Sequence, residues 1–150
     1  MSKITAISGR VLYNSRGSKT IEVDVTTDGK YQGRVCAPSG ASVGKFEAVS
    51  FPNNSPEESL SLLNQNPDKF IGIDSSDLKQ VHDVIHSIDK TDNYAKIGGA
   101  CAFAITIAAT ESAAKVENKQ FFQMISGKSD LKFPFPLGNI LGGGAHAGPG

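Results

Sequence analysis

The sequence has little cysteine, no bias of charge and no long apolar run, and each shortage excludes something. Cys36 and Cys101 are its only cysteines. They lack paired spacing and read as reduced, buried thiols of cytosolic type. Lys plus Arg and Asp plus Glu both number 15, so the net charge is zero. A general nucleic-acid binder would carry a basic excess, and no block of like charge marks a membrane-attracted tail. The most apolar stretch, Ala100 to Ala109, is interrupted by Thr106 and is too short to span a bilayer. The opening M-S-K-I-T-A-I-S-G-R lacks the apolar core of a signal peptide. No internal repeat or low-complexity segment appears. What remains is an ordinary globular composition, 39% hydrophobic and 20% charged over 150 residues, enough for one good core. The cytoplasm is the expected compartment, with no nucleic-acid partner and no membrane requirement.

The pattern that is present changes character along the chain. Residues 3 to 13 are rich in β-formers and read as a first strand, followed by a turn at Asn14 to Lys19. Thr20 to Thr27 alternates with a period of two: Ile21, Val23 and Val25 fall on one face, Glu22 and Asp24 on the other. Asp28-Gly29 supplies a hairpin turn, and Lys30 to Ala37 returns as a third strand. An antiparallel three-stranded meander covered on one face is the expected result. Helix signals follow. Ser55-Pro56-Glu57-Glu58 combines a Ser cap, a first-turn Pro and an acidic residue three positions after the cap, and this helix should end near Asn66-Pro67. A second start lies at Asp74 to Asp77, before an apolar stripe of Leu78, Val81, Ile85 and Ile88. A longer, Ala-rich helix is expected over Gly98 to Val116, and a short one over Gln120 to Ser126 with Gly127 as its stop. From Phe133 the run F-P-F-P-L-G-N-I-L cannot pair along its whole length. The glycine-rich Gly138 to Gly150 then leaves an apolar segment with nothing to cover it. The sequence therefore reads as an α+β domain over 1–132 and the truncated start of a second domain over 133–150.

Between strands and helices lies the stretch that matters most, P-S-G-A-S-V-G-K at Pro38 to Lys45. It resembles a phosphate-binding loop but is one residue short, and Phe46 stands where a Ser or Thr should meet magnesium. Gly127-Lys128-Ser129 has the right ending, but Phe122 occupies the first glycine position. Gly142, Gly144 and Ala147 fit a relaxed dinucleotide fingerprint, with no following helix or acidic partner to support it. His82 and His86 lie one helical turn apart, yet Asp83 stands where a zinc protease needs Glu, and no third ligand is near. They read as a partly exposed structural pair. His146 sits among glycines, where no regular core claims it, so both a functional and a plain loop role stay open.

Four stretches, taken together and in order, resemble the enolase (phosphopyruvate hydratase) family. They are N-S-R-G-S-K-T-I-E-V at Asn14 to Val23, P-S-G-A-S-V-G at Pro38 to Gly44, K-I-G-G-A at Lys96 to Ala100, and F-P-L-G-N-I-L-G-G-G-A-H-A-G at Phe135 to Gly148. The family usually has an acidic residue at Asn14, N-P-T at Ser18-Lys19-Thr20, Thr at Val43, and G-A-N-A where Gly99 and Cys101 fall. These departures point to a divergent, archaeal-like branch.

The resemblance implies an N-terminal capping domain followed, near Phe133, by the first strand of an α/β barrel. It implies an enzyme that reversibly dehydrates 2-phosphoglycerate to phosphoenolpyruvate in glycolysis and gluconeogenesis. A Lys base and a Glu acid do the proton chemistry, and two Mg²⁺ ions hold the enediolate-like intermediate. The base, the acid and the carboxylates for the first Mg²⁺ are expected beyond Gly150, so this chain contains no catalytic residue of its own and alone should be inactive. By motif position, Ser42 resembles the residue whose oxygens bind the second Mg²⁺. Ser39, Gly40 and Ala41 resemble the loop that closes on substrate, and His146 the histidine that reaches it from the first barrel loop. Arg10 and Glu22 match positions that make charged contacts across a homodimer interface, in a homodimer or higher homo-oligomer; otherwise they are solvated strand charges. Two alternatives remain: the cap of another enolase-superfamily enzyme, or a non-catalytic enolase-like binding protein.

Overall fold

A computed structural model describes residues 2–40, 43–128 and 130–140. Three strands, β1 (Ile4–Tyr13), β2 (Lys19–Thr27) and β3 (Tyr31–Cys36), form an antiparallel sheet in the order β1-β2-β3. Four α-helices follow among the described residues: α1 (Pro56–Asn64), α2 (Leu78–Ile88), α3 (Gly99–Val116) and α4 (Phe121–Ser126). This is the expected α+β meander with a helical layer.

The turns close as their residues require. Asp28 and Gly29 both take positive φ, 52° and 67°, which turns the chain within the connection between the paired Thr27 and Tyr31. Lys30 N–H closes the turn on the Thr27 carbonyl at 3.1 Å. In the β1–β2 connection the Asn14 side-chain oxygen accepts from the amides of Arg16 (2.9 Å) and Ser18 (3.0 Å), a local cap that Asn provides readily. The helix starts are capped as expected. Ser55 Oγ accepts from Glu58 N–H at 3.2 Å, and Asp77 Oδ1 accepts from Lys79 and Gln80 N–H at 3.0 and 3.1 Å. Gly127 ends α4 in the left-handed conformation.

Ile21, Val23 and Val25 point into the core and are fully buried, beneath Leu63, Phe70, Val81, Ile85, Ile97, Ile105 and the alanines of α3. Helix α3 lies over β2 and β3, and α1 over β1. The Ala-rich face lets α3 approach closely: Thr27 and Ser112 hydroxyls meet at 2.7 Å beneath it. Side chains of α3 also satisfy the outer edge of β3. Glu111 Oε2 accepts from Arg34 N–H at 2.9 Å, and Lys115 Nζ donates to the Gln32 carbonyl at 2.6 Å, which covers backbone that would otherwise invite pairing. At the opposite edge, the Ile4 amide donates to the Ile73 carbonyl at 3.0 Å and Gly72 N–H returns to Ile4 at 2.8 Å. That short pairing carried no sequence signal.

Two expectations about individual residues change. Cys101 is buried as expected, and burial alone pushes its thiol up to about 12. Cys36 is exposed, because it ends an outward-facing row of β3. Glu22, expected on a solvent face, is only 8% exposed. It lies directly across from Arg10 on β1 and Cys36 on β3. Residues 130–140 carry no helix or strand, and Phe133 and Leu137 are wholly exposed.

Candidate functional site

The site is built where β3 hands the chain to the loop after Cys36. Ala37 is buried, and its amide donates to the Ile21 carbonyl at 2.9 Å. Its own carbonyl accepts from the buried Thr20 hydroxyl at 2.9 Å. From this fixed point the chain emerges as Pro38, Ser39 and Gly40, all exposed. Arg16, at the tip of the β1–β2 turn, donates through one Nη2 to the carbonyls of Ser39 (2.7 Å) and Gly40 (3.1 Å). The Asn14 amide donates to Ser39 Oγ at 3.3 Å.

The far side of the loop is held as well. Glu47 Oε2 accepts from Gly44 N–H at 2.8 Å, while Glu47 N–H donates to the Gly44 carbonyl at 3.1 Å. The next residues lie against the start of α3: Gly99 N–H donates to Val49 (2.7 Å) and Ala100 N–H to Ser50 (3.2 Å). Between these walls opens a cleft of about 220 Å³, lined by Pro38, Gly40, Glu47, Ser50, Ala100 and Phe103 among others. A second concavity of about 180 Å³ on the same loop adds Ser39, Val43 and Phe51.

The floor of the cleft depends on how α3 begins. Gly98 adopts φ 84° and ψ 132°, and a Cβ there would lie 2.6 Å from the Ser50 carbonyl and 2.8 Å from Ser59 Oγ. Only glycine meets both demands. The segment before it is gathered by Asp89, which is 0% exposed. Asp89 Oδ2 accepts from Lys96 and Ile97 N–H, both at 2.8 Å, and Oδ1 from the Thr91 amide (2.9 Å) and hydroxyl (2.6 Å). Burial pushes this carboxyl up, but the Thr91 hydroxyl and the three amides outweigh it and hold it below its ordinary range. Three of the four family-like stretches thus converge: the Asn14 turn, the Ser39 loop and the Gly98 helix start share one corner of the molecule.

A sequence model of the family described as "Enolase, N-terminal domain" matches residues 4–125. The chain belongs to the enolase N-terminal domain family. Relatives named enolase match nearly all of it. It is 37% identical to the enolase of Methanosphaera stadtmanae over 148 residues and 39% identical to that of Halorubrum lacusprofundi over 149, covering 98% of this chain and 36% of each relative. The enolase of Halobacterium salinarum is 38% identical over 149 residues, with 98% of this chain and 37% of the relative covered. The chain therefore spans about a third of the length of the curated relatives it matches, and these are archaeal, as the departures from the usual motifs suggested.

Within this enolase domain the described residues place Ser39 and Gly40 at the cleft. Ala41, Ser42 and His146 lie outside the described residues. Arg10 and Glu22 belong to the other face of the sheet. There Arg10 pairs with Glu22 Oε1, Arg34 Nε stands 3.6 Å from the same oxygen, and Arg34 Nε reaches Asp24 at 2.5 Å. Cys36 Sγ donates to Glu22 Oε2 at 3.2 Å. The two residues are thus partners of each other within one chain, in a row of four alternating charges. His82 is exposed, and His86 stacks on Tyr94 with ring centroids 5.4 Å apart, a structural arrangement. No group of three metal-ligating side chains occurs among the described residues, nor any helix long and apolar enough to cross a membrane.

No local sequence signal marks Arg16, Asn14, Glu47 or Asp89 for the site. Asn14 ahead of Gly17 was legible as a turn cap. The reach of Arg16 and Glu47 to the loop, across or within a bend, was not, because it depends on how the turn and the loop meet in space.

Proposed function

We propose that the whole protein is a phosphopyruvate hydratase, reversibly dehydrating 2-phosphoglycerate to phosphoenolpyruvate, and that this domain supplies the loop that covers the substrate. The observation that carries the reading is the Ser39–Gly40 segment, anchored at its base and open to a cleft shared with the start of α3. Residues 1–132 form the capping domain, and the barrel starts near Phe133. Ser39, Gly40 and Ala41 contact the substrate and keep water from it. His146 reaches it from the barrel side. The proton-transferring Lys and Glu lie beyond Gly150.

The donors offered by the described part of the cleft, the Ser39 hydroxyl and the Glu47 carboxylate, are hard oxygens of the kind Mg²⁺ selects. They are too few to hold an ion alone, which suits a domain that completes a site of two Mg²⁺ begun elsewhere. Ser42 is the residue assigned to the second ion. Bound Mg²⁺ supplies charge neutralisation as the substrate carboxylate gains negative charge. Arg10 and Glu22 contribute to contacts in a homodimer or higher homo-oligomer, and the protein works in the cytoplasm.

Two measurements test this reading. In the full-length protein, Ser42→Ala should lower turnover by about a hundredfold while the thermal midpoint stays within a degree or two. Unchanged turnover and unchanged magnesium dependence would remove Ser42 from the site. Residues 1–150 alone should form no phosphoenolpyruvate from 2-phosphoglycerate; measurable formation would mean that the base and acid lie within this chain.

A further inference from the structure

Arg16 is an exposed residue at the tip of a turn, yet its guanidinium is directed inward at two consecutive carbonyls of the loop. The other arginines of the sheet behave differently: Arg10 and Arg34 both pair with carboxylates. No ion pair among the described residues includes Arg16. A terminal guanidinium nitrogen carries two N–H groups in a fixed plane, so binding Ser39 and Gly40 together sets the direction of both peptide units. Asn14 adds a third contact at Ser39 Oγ. Its side-chain oxygen meanwhile holds the Arg16 and Ser18 amides, so one residue shapes the turn and touches the loop.

We infer that Arg16, braced by Asn14, is a positioning residue that clamps the Ser39–Gly40 backbone and thereby sets how the loop meets the substrate. The clamp itself stands on the hydrogen bonds; only its effect on turnover rests on the proposed function. Among the described residues the Gly44–Glu47 turn is closed only by hydrogen bonds within itself, so loss of Arg16 loosens the loop at its Ser39 end and leaves Lys45 more open to attack. A contact made by an exposed side chain to backbone adds little to global stability, whereas it biases the local conformation directly.

The test uses a lysine-specific protease on the 150-residue chain, following by mass spectrometry the bond after Lys45, an exposed residue on this loop. Arg16→Ala should speed that cleavage about tenfold, the factor expected from losing charge-assisted bonds at a solvent-exposed site. Arg16→Lys, which can reach one carbonyl but not fork across two, should fall between. Asn14→Ala should speed cleavage less. Asn14→Asp should match the wild type, because the carboxylate still caps the turn and can accept a hydrogen bond from the Ser39 hydroxyl. An unchanged rate in Arg16→Ala overturns the clamp. So does an equal acceleration at Lys115 within α3, which marks general unfolding. In the full-length protein, Arg16→Ala should lower kcat/KM about tenfold, with Arg16→Lys partly restoring it. Faster cleavage with wild-type turnover overturns the effect on the reaction. A wild-type protein that shows no dehydration at all defeats the proposed function, while the proteolysis result still decides the clamp.

Discussion

Replacing Gly33 with alanine is expected to destabilise the domain by at least about 3 kcal/mol, lowering its thermal midpoint by roughly 6–12 °C. Gly33 lies on β3 opposite Val25, on the sheet face that α3 covers. A Cβ there would stand 1.9 Å from the Ala108 carbonyl oxygen and 2.8 Å from the Ser112 nitrogen. Both atoms are helix backbone, so no side chain can rotate aside. The helix must lift away from the strand, loosening Ala104, Ile105, Ala108 and Ala109, all fully buried, and straining the Thr27–Ser112 bond. Gly29→Ala is the control. Gly29 has φ 67° with open space around it, so alanine there meets only the left-handed backbone penalty of about 1 kcal/mol. Thermal melts by circular dichroism compare the two. Equal shifts would show that close approach of α3 to β3 is not what glycine provides.

Asp89→Ala is expected to destabilise by about 3 kcal/mol, since it strips the partner from three buried or half-buried amides and a hydroxyl at once. The loss should concentrate at the start of α3 and the wall of the cleft, because Lys96 and Ile97 lead directly into Gly98. The same residue gives a pH dependence of defined sign. Its folded carboxyl lies below the ordinary value of 3.8. The unfolded chain therefore takes up the proton first, and the contribution is full above that value and declines as pH falls through it toward the folded value. Asp74 and Asp77, also held low by hydrogen bonds despite some burial cost, share the same acid limb. Asp89→Asn keeps the shape but turns an NH₂ toward amide donors, and should flatten part of that limb while lowering stability at neutral pH. Melting temperatures from pH 2 to pH 7 check it; identical acid slopes in wild type and Asp89→Asn would sink the assignment.

Most of the fold was legible in the chain because its signals are local. The alternation from Thr20 to Thr27 needs only the two-residue repeat of a strand. The Asp28-Gly29 turn and the caps at Ser55, Asp77 and Gly127 need only the backbone each residue tolerates. For Glu22 the same rule gives the outer face correctly but not its burial, since it is only 8% exposed there. The neighbours that bury it, Arg10 and Cys36, come from other strands. Cys36 failed in the opposite sense, since a typically buried residue type ended an outward row. Of the loop, motif and glycine content marked Ser39 and Gly40. The atoms that hold them belong to a turn more than twenty residues earlier.

By itself the sequence determined the order of strands and helices, their ends, and membership of a family whose motifs appear in register. Tertiary structure alone decided three things. It brought the Arg16 guanidinium to the Ser39 and Gly40 carbonyls, buried Asp89 under four donors, and pressed the α3 backbone onto Gly33. The reason is common to all three. Propensity and periodicity act between near neighbours, while hydrogen bonds to loop backbone and helix–strand distance depend on which elements the packed core sets side by side.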